Sequence, residues 1–138
     1  MQTAARVTLL AFAAILAAYG VVFLVQPAVL GGLVGLELAG PDAAVEIRAF
    51  YGGLELGMAA FLVICARDPR LLAAGLLFCA LAFSFAGGAR LLGAAQYGTA
   101  GVAQPVVAVI ELLGAAWSGW LRARVGTVER GERLRRAG

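Results

Sequence analysis

The sequence predicts an all-α integral membrane protein, an antiparallel four-helix bundle. Of its 138 residues, 62% are hydrophobic and only 14% are charged, and the mean hydropathy is +0.92. A soluble domain averages about 45–50% apolar and about 25% charged residues. Crossing about 30 Å of hydrocarbon takes about 20 residues, and four apolar stretches are long enough. They run over residues 7–25, 44–66, 71–95 and 102–121.

These stretches use most of the chain, so we expect one domain. It covers residues 1–124 and is followed by a basic cytoplasmic tail, residues 125–138. The first stretch resembles a signal peptide because Arg6 precedes an apolar run. The run is longer than the roughly 7–15 residues of a signal-peptide core. We therefore interpret it as a retained helix.

The distribution of arginine predicts the orientation. All eleven basic residues are arginine, and the nine outside the predicted spans lie before the first stretch, around the second turn (residues 67–70) and in or just before the tail. The first and third loops contain none. Cytoplasmic loops carry an excess of Lys and Arg, so both termini should be cytoplasmic in a multi-pass protein of the bacterial inner (plasma) membrane. The tail arginines fit this rule and anionic lipid better than nucleic acid, and no nucleic-acid partner is expected.

The longest connection, residues 27–43, contains two prolines and several glycines. It is too short to span the membrane again. Its apolar residues indicate a segment in the outer interface or a lid, or a loop that simply covers the helix ends. Pro41 and Asp42 are typical of a helix start.

The chain offers no evident metal or cofactor site. It has no histidine, and its two cysteines, Cys65 and Cys79, lie in different predicted spans at depths that differ by about 13 Å. That separation exceeds disulfide reach, so we expect two buried thiols. Zinc and haem are not expected without suitable ligands, and no cofactor is predicted.

Four ionisable residues lie inside the predicted spans: Arg48, Glu55, Arg90 and Glu111. A charge at bilayer depth costs about 2.5–3.5 kcal/mol on insertion scales. A chain tends to keep such residues where they pair, face a polar cavity or do chemistry. At α-helical spacing, Arg48, Tyr51 and Glu55 share one face of the second span.

Depth along the helices predicts a pocket that opens toward the outer leaflet. Glu55 and Glu111 each lie about 15 Å from the outer end of their helix, and the two arginines about 5–8 Å from theirs. If the two carboxylates meet, they would not both ionise and would form an acid/base pair. If the arginines reach them instead, the set is a structural salt-bridge network. The sequence leaves both alternatives open.

Glycine is abundant, with 19 residues. Gly53 and Gly57 form a GxxxG pair, and Gly87-Gly88 lies on the third span. Small residues let membrane helices approach closely. We expect these glycines to serve packing within the bundle rather than dimerisation.

The motif Glu46-x-Arg48-x-x-Tyr51-Gly52-Gly53, together with Gly88-x-Arg90 and Glu111, resembles a family of small bacterial four-helix membrane proteins classed as a domain of unknown function. The resemblance covers about residues 5–122 and implies the fold without an activity. In layout the chain is also distantly similar to DoxX-like proteins and to the bundles of the sterol-isomerase and sigma-2-receptor type. In those bundles, paired intramembrane carboxylates face a lipophilic ligand, an analogy of fold alone.

Three functions are compatible with these features, and the sequence does not decide whether the protein is an enzyme. In the first, the bundle binds a small lipophilic ligand and transforms it by proton transfer at Glu55 and Glu111, with Arg48, Tyr51 and Arg90 binding the ligand. The second is a small proton-coupled transporter that acts as a homodimer. Small multidrug exporters carry their carboxylate on helix one, which has no acid here. The third is an accessory membrane subunit whose charges stabilise its fold.

Overall fold

The computed structural model describes the backbone of residues 1–34, 40–99 and 101–137, and side chains over the same ranges except for residue 34 and residues 127–137. It is all-α. The helices are α1 (Gln2–Val25), α2 (Ala28–Val34), α3 (Pro41–Ile47), a π-helical segment (Arg48–Gly53), α4 (Leu54–Arg67), a 3₁₀ turn (Pro69–Leu71), α5 (Leu72–Tyr97) and α6 (Ala103–Ala137).

Four continuous helical stretches of the described chain are long and apolar enough to cross a membrane. They are Gln2–Val25, Pro41–Arg67, Pro69–Tyr97 and Ala103–Gly126. Each closely matches one of the four predicted stretches, with bounds that differ by a few residues. The fold class predicted from hydropathy is therefore confirmed, with the membrane character following from helix length and composition.

The connections between the four long helical stretches differ in length. Between α1 and α3, the short helix α2 includes the buried Leu30, and residues 35–39 of the predicted interfacial segment lie outside the described residues. The turn after α4 is fixed by Asp68, whose Oδ1 accepts a hydrogen bond from the backbone N–H of Arg70 at 2.9 Å. Because Asp68 satisfies an N–H that has no helical partner, this cap lets the next helix begin immediately.

The chain forms two compact units. One comprises residues 7–67, and the other comprises residues 68–138 together with residues 1–6. Each unit is built around a helical hairpin: α1 with the second span (Pro41–Arg67) in the first, and α5 with α6 in the other. We call these the first hairpin and the second hairpin.

A buried glycine brings the helices together in each hairpin. In the first hairpin, a Cβ placed on Gly20 of α1 would lie 2.9 Å from Leu56 Cγ and 3.0 Å from the carbonyl oxygen of Gly52. In the second hairpin, a Cβ on Gly87 of α5 would lie 2.9 Å from Leu112 Cγ and 3.0 Å from the oxygen of Ala108. Only hydrogen fits at these distances, so both hairpins depend on backbone-to-backbone contact.

We call the glycines that pack between the two helices of a hairpin the seam glycines. Only some of them are the glycines that the sequence indicated. Gly87 has the predicted packing role, but a methyl group added to Gly88 or Gly57 would have no neighbour within 4 Å, and one added to Gly53 would meet only a carbonyl oxygen of its own helix. Within the first hairpin, the predicted packing role of the GxxxG pair is therefore wrong. The reason is geometric, since Gly20 and Gly52 occupy the crossing point of the first hairpin instead.

Candidate functional site

Arg90, Glu111 and Gln104 form a polar cluster within the second hairpin. Arg90 Nε donates hydrogen bonds to both carboxylate oxygens of Glu111, at 3.1 and 3.0 Å, and Arg90 Nη1 donates to Gln104 Oε1 at 2.8 Å. The ion pair joins α5 to α6, and the Glu111 side chain is only 15% exposed. Charge-assisted bonds of this kind are stronger than neutral ones. Glu111 is thus an ion-pair partner in this structure.

Arg48 has a different role in the first hairpin. Its Nε donates a hydrogen bond to the carbonyl oxygen of Leu24 at 3.1 Å. Leu24 lies in the last turn of α1, where carbonyl groups have no helical partner. A basic side chain there both satisfies the carbonyl and complements the negative end of the helix dipole. Arg48 therefore caps α1 and joins its C-terminal end to the second span.

A π-helical segment, Arg48–Gly53, interrupts the second span, and the N–H of Leu54 donates back to the carbonyl of Ala49. Such segments add one residue to a helical turn and are frequent at functional sites. In an uninterrupted α-helix, Arg48 and Glu55 would differ by about 20° around the axis. With one residue added, they differ by about 120°. The predicted common face of Arg48, Tyr51 and Glu55 is therefore wrong with respect to Arg48.

The π-helical segment instead aligns a different set of residues, which lines an open groove of about 500 Å³ along the second span. This volume falls within the range of about 300–1,000 Å³ that is usual for small-molecule sites. We call it the Glu55 groove. Its described lining residues are Glu46, Ile47, Phe50, Tyr51, Leu54, Glu55 and Met58.

The spacing of these residues shows how the groove depends on the π-helical turn. Glu46, Phe50, Leu54 and Met58 recur every four residues. Over twelve residues an α-helix would turn the last about 120° away from the first. The added residue reduces this to about 20°. One long face thus carries two carboxylates, two aromatic rings and aliphatic side chains.

Glu55 brings a buried carboxylate oxygen without a partner to this groove. Its Oε2 is buried and makes no hydrogen bond to any of the described residues. Leaving a buried polar atom unsatisfied costs about 1–3 kcal/mol, and more for a charged group. Glu111 in the second hairpin bears no such cost because Arg90 binds both of its oxygens.

Tyr51 belongs to the groove and to the first hairpin's packing. Its ring meets Phe23 edge-to-face, with centroids 6.2 Å apart, and Phe23 stacks on Tyr19 at 5.8 Å. Edge-to-face aromatic pairs of this kind stabilise the folded state by more than the burial of their apolar area alone. Tyr51 is therefore held in place by α1 while it lines the groove.

The two hairpins repeat one arrangement. Glu111, Leu112 and Ala108 each follow Glu55, Leu56 and Gly52 by 56 positions. The glycine contacts at these positions agree within 0.1 Å between the hairpins. The sequence alone places the two glutamates at similar depth in their helices, but the few matching positions do not stand out as a repeat without the contacts.

Other polar and aromatic features lie outside both glutamate sites. Trp117 and Trp120 stack at 5.2 Å, with the Arg124 guanidinium 5.3 Å from the Trp120 ring, an arrangement typical of an interfacial belt. Cys65 and Cys79 are buried thiols, as predicted. No group of three or more His, Cys, Asp or Glu side chains suited to a metal occurs within the described part of the chain.

This fold and these sites define a small all-α protein with four membrane-capable helices and ionisable residues within them. The chain belongs to the family described as Domain of unknown function (DUF4345), whose model matches residues 4–122. The predicted membership of a family classed as a domain of unknown function, over about residues 5–122, is thereby confirmed. No curated protein and no solved structure matches the chain.

Proposed function

We propose that this protein binds a small lipophilic molecule in the membrane, with the ligand lying in the Glu55 groove. The observation that carries the proposal is the unpartnered Glu55 oxygen in a groove otherwise dominated by apolar side chains. Small-molecule sites combine a mainly apolar wall with a few polar groups that fix orientation. An ionisable group within a membrane span indicates function by default.

The proposed roles of the five predicted site residues follow from their contacts. Glu55 provides the polar end of the site, and Tyr51 lines its wall. Arg48 and Arg90 act on the scaffold, by capping α1 and by holding Glu111. Proton transfer by Glu55 and Glu111 acting together stays a prediction. Its test is whether either glutamate is needed for turnover once a ligand is known.

The ion pair supports a second role, that of a structural network, for the second hairpin. Arg90, Glu111 and Gln104 satisfy one another, as expected of groups that stabilise a fold. We therefore propose a protein in which one glutamate stabilises the hairpin and the other faces ligand. We further propose that it lies in the inner membrane of a bacterium with both termini in the cytoplasm, in keeping with the arginine distribution.

The experiment is to extract the protein with its surrounding lipid in polymer discs and to identify retained molecules by mass spectrometry. Wild type is compared with Glu55→Gln, which keeps the side-chain volume, and with Asp42→Asn. Asp42 is an exposed carboxylate in the first turn of α3, so it controls for loss of a charge on the same span. We expect a molecule retained by wild type and Asp42→Asn and lost from Glu55→Gln. Identical profiles from all three proteins would refute the proposal.

A further inference from the structure

The internal repeat gives the Glu55 groove a direct point of comparison. In each hairpin a seam glycine packs against a leucine that directly follows a glutamate: Gly20 with Leu56, and Gly87 with Leu112. The two glutamates therefore occupy equivalent places in equivalent frames. The partner of Glu111 in the second hairpin therefore indicates the kind of partner that suits Glu55 in the first.

The hairpins differ at one position that decides the partner of the glutamate. Three residues after Gly87 stands Arg90, which binds both oxygens of Glu111. Three residues after Gly20 stands Phe23, which is 4% exposed and packs on Tyr51. The first hairpin thus supplies an aromatic ring where the second supplies a guanidinium group.

We propose that the Glu55 groove binds an organic cation, a guanidinium or protonated amine carried on an apolar body. This inference rests on the function proposed above and specifies its ligand class. The cation would form with Glu55 the charge-assisted hydrogen bonds that Arg90 forms with Glu111. It would enter from the groove, since Phe23 fills the equivalent place on α1.

The chemistry of the groove is complementary to such a ligand. The described residues that line it include two carboxylates, Glu46 and Glu55, and no basic side chain. Phe50 and Tyr51 are 60% and 47% exposed and belong to the same lining. Aromatic faces attract cations and also accept hydrocarbon. A neutral or anionic lipid would leave both acids without a counter-charge.

The test uses a matched pair of probes, octylguanidinium and octylurea, which share chain length and planar head shape and differ in charge. Binding to the protein in lipid nanodiscs is measured by equilibrium dialysis, with empty nanodiscs subtracted. We expect wild type to bind about one octylguanidinium per chain and at least 10-fold more tightly than octylurea. Glu55→Gln should weaken octylguanidinium binding about 10- to 100-fold, the usual effect of losing a charged hydrogen bond, and Asp42→Asn should not.

The remaining outcomes separate this inference from the proposed function. Equal binding of both probes that is lost in Glu55→Gln would overturn the cationic ligand and keep a lipophilic site at Glu55. Binding of neither probe above the empty-disc level would overturn the inference, and the retained-molecule comparison would then decide the proposed function by itself. The probe comparison on wild type needs no substitution, so it holds even if Glu55→Gln fails to fold.

Discussion

Gly87 and Gly88 are neighbours on α5 that should respond in opposite ways to the same substitution. A methyl group on Gly87 would lie 3.0 Å from the carbonyl oxygen of Ala108 and 2.9 Å from Leu112 Cγ, whereas one on Gly88 would meet nothing within 4 Å. The leucine side chain can rotate, but the oxygen belongs to the α6 backbone. Gly87→Ala must therefore push α5 and α6 apart.

The expected magnitude follows from two opposing terms. Replacing glycine by alanine inside a helix favours the folded helix by about 1 kcal/mol, and this term is common to both variants. Overpacking a tight contact typically costs about 1–3 kcal/mol. This cost applies to Gly87→Ala and not to Gly88→Ala. The free energies of unfolding should thus differ by about 1–3 kcal/mol, with Gly88→Ala at or above wild type.

The assay is reversible unfolding by SDS in mixed micelles, followed by tryptophan fluorescence. Both tryptophans, Trp117 and Trp120, lie on α6, so the signal reports on the affected hairpin. The first hairpin offers a second matched pair, Gly52 and Gly53. A methyl group on Gly52 would lie 3.0 Å from Leu24 Cα, whereas one on Gly53 would meet only a carbonyl oxygen of its own helix. If Gly88→Ala were destabilised as much as Gly87→Ala, the seam of the second hairpin would not exist as described.

Three further predictions concern the polar groups and the orientation. Arg90→Lys should lower the free energy of SDS unfolding because lysine cannot bind Glu111 and Gln104 together as the guanidinium fork does, and the exposed Arg122→Lys should not; equal stabilities would show that the cluster contributes nothing. Glu111→Gln should lower the free energy of unfolding by about 3 kcal/mol or less. This is the lower end of the cost of breaking a buried ion pair, and it applies because the Arg90 side chain is 39% exposed. A wild-type melting temperature would contradict this. Cysteine placed at Thr99 should react with an impermeant maleimide from outside the cell and cysteine at Thr127 should not, with Cys65 and Cys79 buried; reaction at Thr99 from the cytoplasm would reverse the topology.

The four spans could be predicted from the sequence because hydropathy over about 20 residues is a strong signal. The bounds shifted by only a few residues, as at Pro41–Arg67. The pairing of Arg90 with Glu111 was one of the two alternatives left open, since α-helical geometry within α5 and α6 put both groups within reach. The sequence alone does not show that Gln104 completes this cluster.

The site around Glu55 was harder to predict because periodicity assumes a constant helical turn. The sequence Arg48–Gly53 has no pattern that distinguishes π from α geometry, and the added residue moved Arg48 away from Glu55. The glycines that pack between the helices were only partly predicted, for a related reason. Composition shows which glycines could permit close approach, but the crossing point depends on how two helices meet, and this selected Gly20 and Gly52.

The repeat suggests why one chain keeps two glutamates in apolar helices while treating them differently. A bilayer penalises each uncompensated charge by about 2.5–3.5 kcal/mol, so an ionised glutamate in either hairpin requires a counter-charge. The second hairpin compensates Glu111 internally, through Arg90. The first replaces that arginine by Phe23, widens the helix at Arg48–Gly53 and aligns Glu55 with an open groove. All three features suit the proposed cationic ligand, because together they leave Glu55 open to a counter-charge from outside the chain.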